Sequence, residues 1–381
     1  MVVSCLSEGL LLVDEGRVER LDRVPSAGLA TGRLAARARH DPAETSRGAL
    51  VDFEDGRTVR IEALTDPHDV AWEGDLLAGV ATLGNAVLWA DRAGRVVRRF
   101  DAPGDGDCWH LSGLAIDCGR TLVSAFGRFR RHRDWAEAPR DGTGFVLELP
   151  SGRTAAEGLS SPHSPRVVAG ELLVCDSGRG DVLVGERRVR LGGWTRGAAA
   201  SDGLLAVGVS APRGSGGSAE LVLLDRATLR ILRRFALPVR EVHDVAFLPA
   251  GRARRLVRAV PMTAPMKPLA RADLRVRLAA PPALALRAGE LGELECSLTN
   301  LGRTALATAR PHPVSVVASW SPCGRALWSP LPGAVAPGQT VRVPVRYLAP
   351  ERPGRYAIEL GAVQEGVARL EGSARVAADV A

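Results

Sequence analysis

One segment pattern recurs six times in the first 260 residues, and that repeat restricts the fold more than any other feature of the chain. The copies are SAGLATGRLAARA from Ser26, PHDVAWEGDLLAGV from Pro67 and WHLSGLAIDCGRTLVSA from Trp109. They continue with PHSPRVVAGELLVCDS from Pro162, TRGAAASDGLLAVGVS from Thr195 and VHDVAFLPAGRARRLVRAV from Val242. The first copy is the weakest match. Each opens on a polar or small dipeptide, runs into a short apolar strand, turns at Gly or Asp, and enters a second strand. Segments such as AVLWADRAGRVVRRF and LVLLDRATLRILRRF then read as two more strands, joined by turns at Asp91–Gly94 and Asp225–Thr228.

The second positions of the copies are Ala27, His68, His110, His163, Arg196 and His243, at a mean spacing of about 43 residues. Four short strands per unit of that length mark the blades of a β-propeller. Closing the ring removes the exposed sheet edges that an open stack would keep. The last copy runs out near Pro261 after about two strands. The opening VVSCLSEGLLLVDEGRVERLDRVP supplies two strands and a turn. Together they complete one blade, so an all-β, six-bladed propeller closed by the N-terminal strands is expected over residues 1–262. PMTAPMKPLARAD breaks the pattern, and a linker is expected at 263–273. Short alternating strands with Pro-Gly turns then predict an immunoglobulin-like β-sandwich over 274–381.

The formal net charge of +7 does not imply a nucleic-acid partner. Lys267 is the only lysine, and the arginines are spread along the chain beside almost as many acids. A nucleic-acid binder concentrates its charge in one stripe with aromatics interleaved. The densest run, Arg128–Arg133, reads as a solvated surface loop. The first 20 residues lack a basic segment before an apolar core, so no secretory leader is expected. No stretch reaches the roughly 18–20 apolar residues of a membrane span. The six cysteines (5, 108, 118, 175, 296 and 323) form no C-x-x-C pair and read as buried thiols of a cytoplasmic protein.

Residues at the start of each innermost strand crowd together at one mouth of a propeller. The repeat therefore brings His68, His110, His163 and His243 together, with Arg196 between two of them. Three readings stay open. The imidazoles could be ligands of one divalent ion (Mn, Fe, Zn or Ni) with positions left for substrate. They could be metal-free acid–base groups, with His110 and His163 the catalytic pair. Each could instead tie its inner strand to the next through a ring N–H. Asp69 and Asp244 directly follow two of the histidines, and could orient imidazoles or cap turns. Ser112 and Ser164 follow the other two. Arg166, Arg196 and Arg213 lie at or near inner-strand ends, where guanidiniums suit a carboxylate, phosphate or sulfate. Trp109 and Trp194 could stack on a sugar face or pack between blades. No P-loop, G-x-S-x-G elbow, H-E-x-x-H or dinucleotide fingerprint is present.

The segments CWHLSGLAI, GLSSPHSPRVVAGELLVCDSGRGDV, GGWTRGAAASDGLLAVGVSAPR and VHDVAFLP resemble a bacterial family of uncharacterised propeller-type proteins, carrying the domain of unknown function 4915. The resemblance covers about residues 105–250. It implies the propeller and marks the mouth, but carries no established activity. Trp135 stands where members carry a more aromatic loop. The tail, through LTNLGRTAL, LPGAVAPGQTVRVPV and PGRYAIELGAVQEGVARL, is similar to immunoglobulin-like modules on bacterial glycosyltransferases and polysaccharide-export ATPases. That likeness implies a glycan context, although Arg369 and Leu370 replace the aromatic that often ends such modules. The expected function is action on a small anionic, carbohydrate-derived molecule by proton abstraction, as a lyase or epimerase, with or without a divalent metal. The alternative is a non-catalytic glycan- or protein-binding scaffold.

Overall fold

The computed structural model describes residues 1–6, 8–40, 48–139, 141–211, 217–257, 268–306, 312–321 and 326–381. These divide into two compact units, residues 1–257 and 268–381. Both are built from β-strands; the described residues add one six-residue helix and two short 3-10 turns. No helix among them is long and apolar enough to cross a membrane.

The first unit is a β-propeller of six four-stranded antiparallel sheets. Their first strands are Leu29–Ala30, Pro67–Glu73, Leu111–Asp117, Pro162–Val168, Trp194–Ser201 and Asp244–Ala246. Each first strand lies beside the first strand of the next sheet, and Asp244–Ala246 lies beside Leu29–Ala30, so all six surround one axis. Apolar side chains fill the spaces between successive sheets. Phe53, Leu64 and Val70 belong to one such cluster, Trp89, Leu114 and Phe145 to the next, and Val2, Leu10 and Leu29 join the last sheet to the first. Outermost strands such as Val96–Asp101 and Ile231–Ala236 are largely exposed, which accounts for their paired arginines. The hairpin turns at Asp91 and Asp225 form as the sequence predicts, each carboxylate accepting backbone N–H groups of its own turn.

The closing sheet differs in composition from the expectation. Three of its strands come from the N-terminal segment (Val2–Cys5, Gly9–Asp14 and Arg17–Arg20) and only Asp244–Ala246 comes from the last repeat. Val2 pairs with Ala246 and Ser4 with Asp244. The residues read as a second strand form the helix Ala250–Arg255 instead. Ala and Arg are good helix formers, and Arg252 and Arg254 pair with Glu54 and Glu19.

The second unit holds a three-stranded sheet (Val276–Ala279, Leu291–Asn300, Thr340–Leu348) and a five-stranded sheet built around Gly354–Gln364 and Ala368–Val380. Both contribute one buried face to a common core that includes Leu294, Cys296, Trp320, Val343, Ile358 and Val376. Strand Thr340–Leu348 shows the cause, with alternate side chains inward and Arg342 and Arg346 outward. Part of the expected linker is packed into this unit. Leu269 is buried in its core and its backbone N–H donates to Gln364 Oε1 at 2.9 Å, because an apolar side chain beside that sheet gains by leaving water. Residues 258–267 lie outside the described residues.

Candidate functional site

Glycines and short polar side chains let the inner strands approach each other closely. A Cβ on Gly113 would lie 2.8 Å from the backbone nitrogen of Ser164. One on Gly197, at φ +75°, would lie 2.8 Å from Asp244 Cα. Gly197→Ala is therefore expected to destabilise the propeller by more than about 1 kcal/mol, read as a lowered urea midpoint. An unchanged midpoint would show that the strands separate freely.

Neighbouring sheets are stapled by hydroxyls and carboxylates. Thr82 donates to Leu111 O at 2.6 Å, Ser112 to Pro162 O at 2.5 Å and Ser177 to Thr195 O at 2.5 Å. Ser164 accepts from Gly197 N at 2.9 Å. Asp69 accepts from Leu114 N at 3.0 Å and Asp244 from Leu29 N at 2.9 Å. The aspartates next to the ring histidines thus bind backbone amides of adjacent sheets, not imidazoles.

Above these staples the expected residues converge. His68 and His110 have ring centroids 5.1 Å apart, and His68 and His243 5.4 Å apart. Arg196 Nη2 donates to His243 Nε2, and its Nη1 lies 3.4 Å from Glu241 Oε1. Phe126 bridges His110 and His163 at 4.2 and 5.3 Å, and Trp194 lies 5.8 Å from His163. Trp194 and Arg196 share a strand, so the ring closes. Ala27 stands at the equivalent repeat position of the first sheet, and His68 and His243 come from the sheets on either side of it. His163 and His243 are only 2% and 1% exposed.

The hydrogen bonds fix the tautomers. His163 Nδ1 faces Ser161 O at 3.0 Å and Ser177 Oγ at 2.9 Å. The Ser177 proton is already given to Thr195 O, so Nδ1 of His163 must be the donor. His68 Nδ1–H donates to Asp66 O at 3.2 Å, and His110 Nδ1–H to Asp107 Oδ1 at 3.0 Å. Each of these three imidazoles therefore carries its lone pair on Nε2. Burial pushes His68 down to about 3, helped by Arg196 and His110 and opposed by Asp66. Burial, then Arg196, holds His163 well below its ordinary value. Burial also lowers Arg196, with Glu241 opposing, and raises the Asp107 carboxyl against the pull of His110.

Other expected site residues lie elsewhere. Arg166 is not an anion clamp. Its guanidinium donates to Asp69 Oδ2 at 3.0 Å, Asp244 Oδ1 at 3.1 Å, Leu114 O at 2.9 Å and Ala198 O at 3.1 Å, joining its own strand to those of four other sheets at the axis. Trp109 packs in the apolar cluster between sheets, 5.3 Å from Phe145, with the Arg128 guanidinium 5.9 Å from its ring centre. Arg213 lies outside the described residues. The four-histidine metal site is not assembled either. Among the described residues no three His, Cys, Asp or Glu side chains form a group that could hold an ion, and His243 Nε2 faces a guanidinium instead. The cluster gains residues the repeat did not mark: Asp107, Phe126, Trp135 and Glu241. Asp107 and Glu241 stand within three residues of a ring histidine, which is the signal that could have found them.

No curated protein matches the chain in sequence. Among solved structures, a protein of unknown function from Bacteroides caccae is 15% identical, with 64% of this chain and 96% of that chain covered and a TM-score of 0.46. A gluconolactonase from Xanthomonas campestris is 15% identical, covering 57% and 77%, with a TM-score of 0.42. Regucalcin from Agrobacterium tumefaciens, a calcium-binding protein, is 11% identical, covering 56% and 75%, with a TM-score of 0.40. Residues 56–230, which carry His68, His110, His163 and Arg196 of the ring, match the family described as Domain of unknown function (DUF4915).

Proposed function

We propose that the first unit is a six-bladed propeller, one blade per four-stranded sheet, and the second an immunoglobulin-like sandwich. Its axial cluster binds a small acidic, carbohydrate-derived molecule and removes the proton α to the carboxylate, as an epimerase or lyase does, without a metal. The observation that carries this reading is the shared orientation of three imidazoles. His68, His110 and His163 all spend Nδ1–H on an internal acceptor and keep an Nε2 lone pair. Histidines that merely tied blades together would donate to the next sheet. Here serine, threonine and aspartate make those ties, and these three histidines bond within their own sheets.

Arg196 supplies the positive charge for the carboxylate. In a water-poor cluster its attraction for an anion is stronger than at the surface. The step balances simply. The C–H bond breaks, an N–H bond forms at an imidazole Nε2, and the electron pair enters the enolate of the carboxyl group, which Arg196 faces. Delivery of a proton from solvent to the opposite face, with the imidazolium giving its own proton up to solvent, inverts the carbon; a β-leaving group that departs with the proton of the imidazolium gives a lyase product.

The test is incubation with galacturonate and glucuronate oligosaccharides in D2O, following C5–H by proton NMR. Exchange by the wild type is expected. Arg196→Gln is expected to raise KM about 10- to 100-fold, the loss of one charged hydrogen bond. A folded wild type that exchanges no deuterium into any of them would sink the acid–base reading and leave the binding scaffold.

A further inference from the structure

We infer that Asp107 is a positioning residue that makes His110, rather than His68 or His163, the imidazole that takes up the substrate proton; this rests on the acid–base reading above. Both Asp107 carboxylate oxygens face His110 Nδ1, at 3.0 and 3.1 Å. The corresponding partners of His163 are a carbonyl and a hydroxyl, and Asp66 Oδ2 stands 4.0 Å from His68. His243 presents Nε2 to a guanidinium. A proton arriving at Nε2 turns an imidazole into a cation. Only beside a carboxylate in hydrogen-bond contact is that charge compensated where it forms.

The surroundings of Asp107 are built to hold it. Its backbone N–H donates to His132 Nδ1 at 3.1 Å, and its carbonyl accepts from the Trp135 indole N–H at 3.0 Å and from Arg133 N at 2.8 Å. The same tryptophan lies 4.0 Å from the His110 ring, with Phe126 also against it at 4.2 Å. The imidazole is thus fixed by its rings as well as by its hydrogen bond. His110 sits at φ 50°, in the left-handed region that non-glycine residues occupy infrequently. His132 and Trp135 come from residues 126–143, an eighteen-residue connection between the second and third strands of this sheet. The neighbouring sheets make the same connection in four residues, 82–85 and 177–180. One sheet of the ring therefore carries a support for its histidine that its neighbours lack.

In the reaction, the proton leaves carbon for His110 Nε2. The Nδ1–H stays on nitrogen, donated to Asp107. Asp107 touches neither substrate nor the reacting atoms, so its effect runs through the tautomer and charge of His110.

The experiment is Asp107→Asn in the full chain, with Asp107→Glu as the conservative variant. Nitrogen-15 NMR of histidine-labelled protein reads the tautomer without substrate, and C5–H exchange of galacturonate oligosaccharides reads turnover. The wild type is expected to carry the His110 proton on Nδ1. Asp107→Asn is expected to give a mixed tautomer and a kcat lower by about 10²–10⁴-fold, with KM within a few-fold and partial recovery in Asp107→Glu. An unchanged tautomer would overturn the hold of Asp107 on His110. A changed tautomer with unchanged kcat would overturn the choice of His110 as base. A wild type without exchange, but with the tautomer change intact, would overturn the reaction proposed above, and with it the base role, while leaving the positioning in place.

Discussion

Arg166→Ala is expected to cost the propeller about 3–5 kcal/mol, the usual price of breaking a buried charge pair from one side. The guanidinium donates to Asp69 and Asp244, whose side chains are 4% and 3% exposed, and its removal leaves both carboxylates in the interior without their cation. Three backbone carbonyls, those of Leu114, Pro165 and Ala198, lose a donor as well.

The loss is expected to depend on pH with a definite sign. Burial raises the Asp244 carboxyl to about 7 even with Arg166 pulling it down and Asp69 pushing it up. Without Arg166 the folded state binds a proton there more tightly than the unfolded chain does. Stability gained from that proton is lost as pH rises through the folded value. The gap between wild type and Arg166→Ala should therefore widen from pH 6 to pH 9. The triple variant Arg166→Met/Asp69→Asn/Asp244→Asn removes the stranded charge and is expected to recover part of the loss. Urea unfolding of the first unit reads all three. A single-variant cost below about 1 kcal/mol would show that the axial triad is solvated, not buried.

Arg166 also shows which part of the site the sequence made legible. A repeat period announces where equivalent backbone positions recur, so the sequence alone places His68, His110, His163, Arg196 and His243 together. It says nothing about which way a side chain turns from its strand. His163 and Arg166 lie three residues apart on one strand, yet one faces the ring and the other reaches the axis beneath it, because the strand is irregular between them. Asp69 and Asp244 follow His68 and His243 directly and turn to the opposite face, as the period of two in a strand requires. The histidines read as a ligand set share a position but not a role. Their partners, a carboxylate at His110 and a guanidinium at His243, come from Asp107 and from another blade's Arg196. Trp135 comes from the part of the 126–143 connection that exceeds its four-residue counterparts at 82–85 and 177–180, so no alignment of copies could assign it. The helix Ala250–Arg255 shows the same limit at the closing blade, where local propensity ended the repeat one strand early.

The second large effect concerns acid. His68 and His163 are held neutral in the folded protein, mainly by burial, and both face Arg196 and His110. His68 also meets His243 and Asp66, and His163 meets Ser161, Ser177, Phe126 and Trp194. The unfolded chain protonates both near 6.5, so below that pH it binds more protons than the folded state, and stability falls with pH. Each such histidine contributes a slope of about 1.4 kcal/mol per pH unit, from about pH 6.5 down towards the folded value. The raised carboxyls of Asp107 and Asp244 act in the opposite direction over part of that range, so the wild-type slope alone does not isolate the imidazoles. The comparison with His163→Asn does, since asparagine keeps an N–H for Ser161 O and cannot take up a proton. Between pH 6.5 and 4.5 the wild type is expected to lose about 2–3 kcal/mol more than His163→Asn, and His68→Asn should behave alike. Parallel pH profiles for wild type and variant would mean that His163 is already charged in the folded ring, and an imidazolium there has no Nε2 lone pair with which to accept a proton.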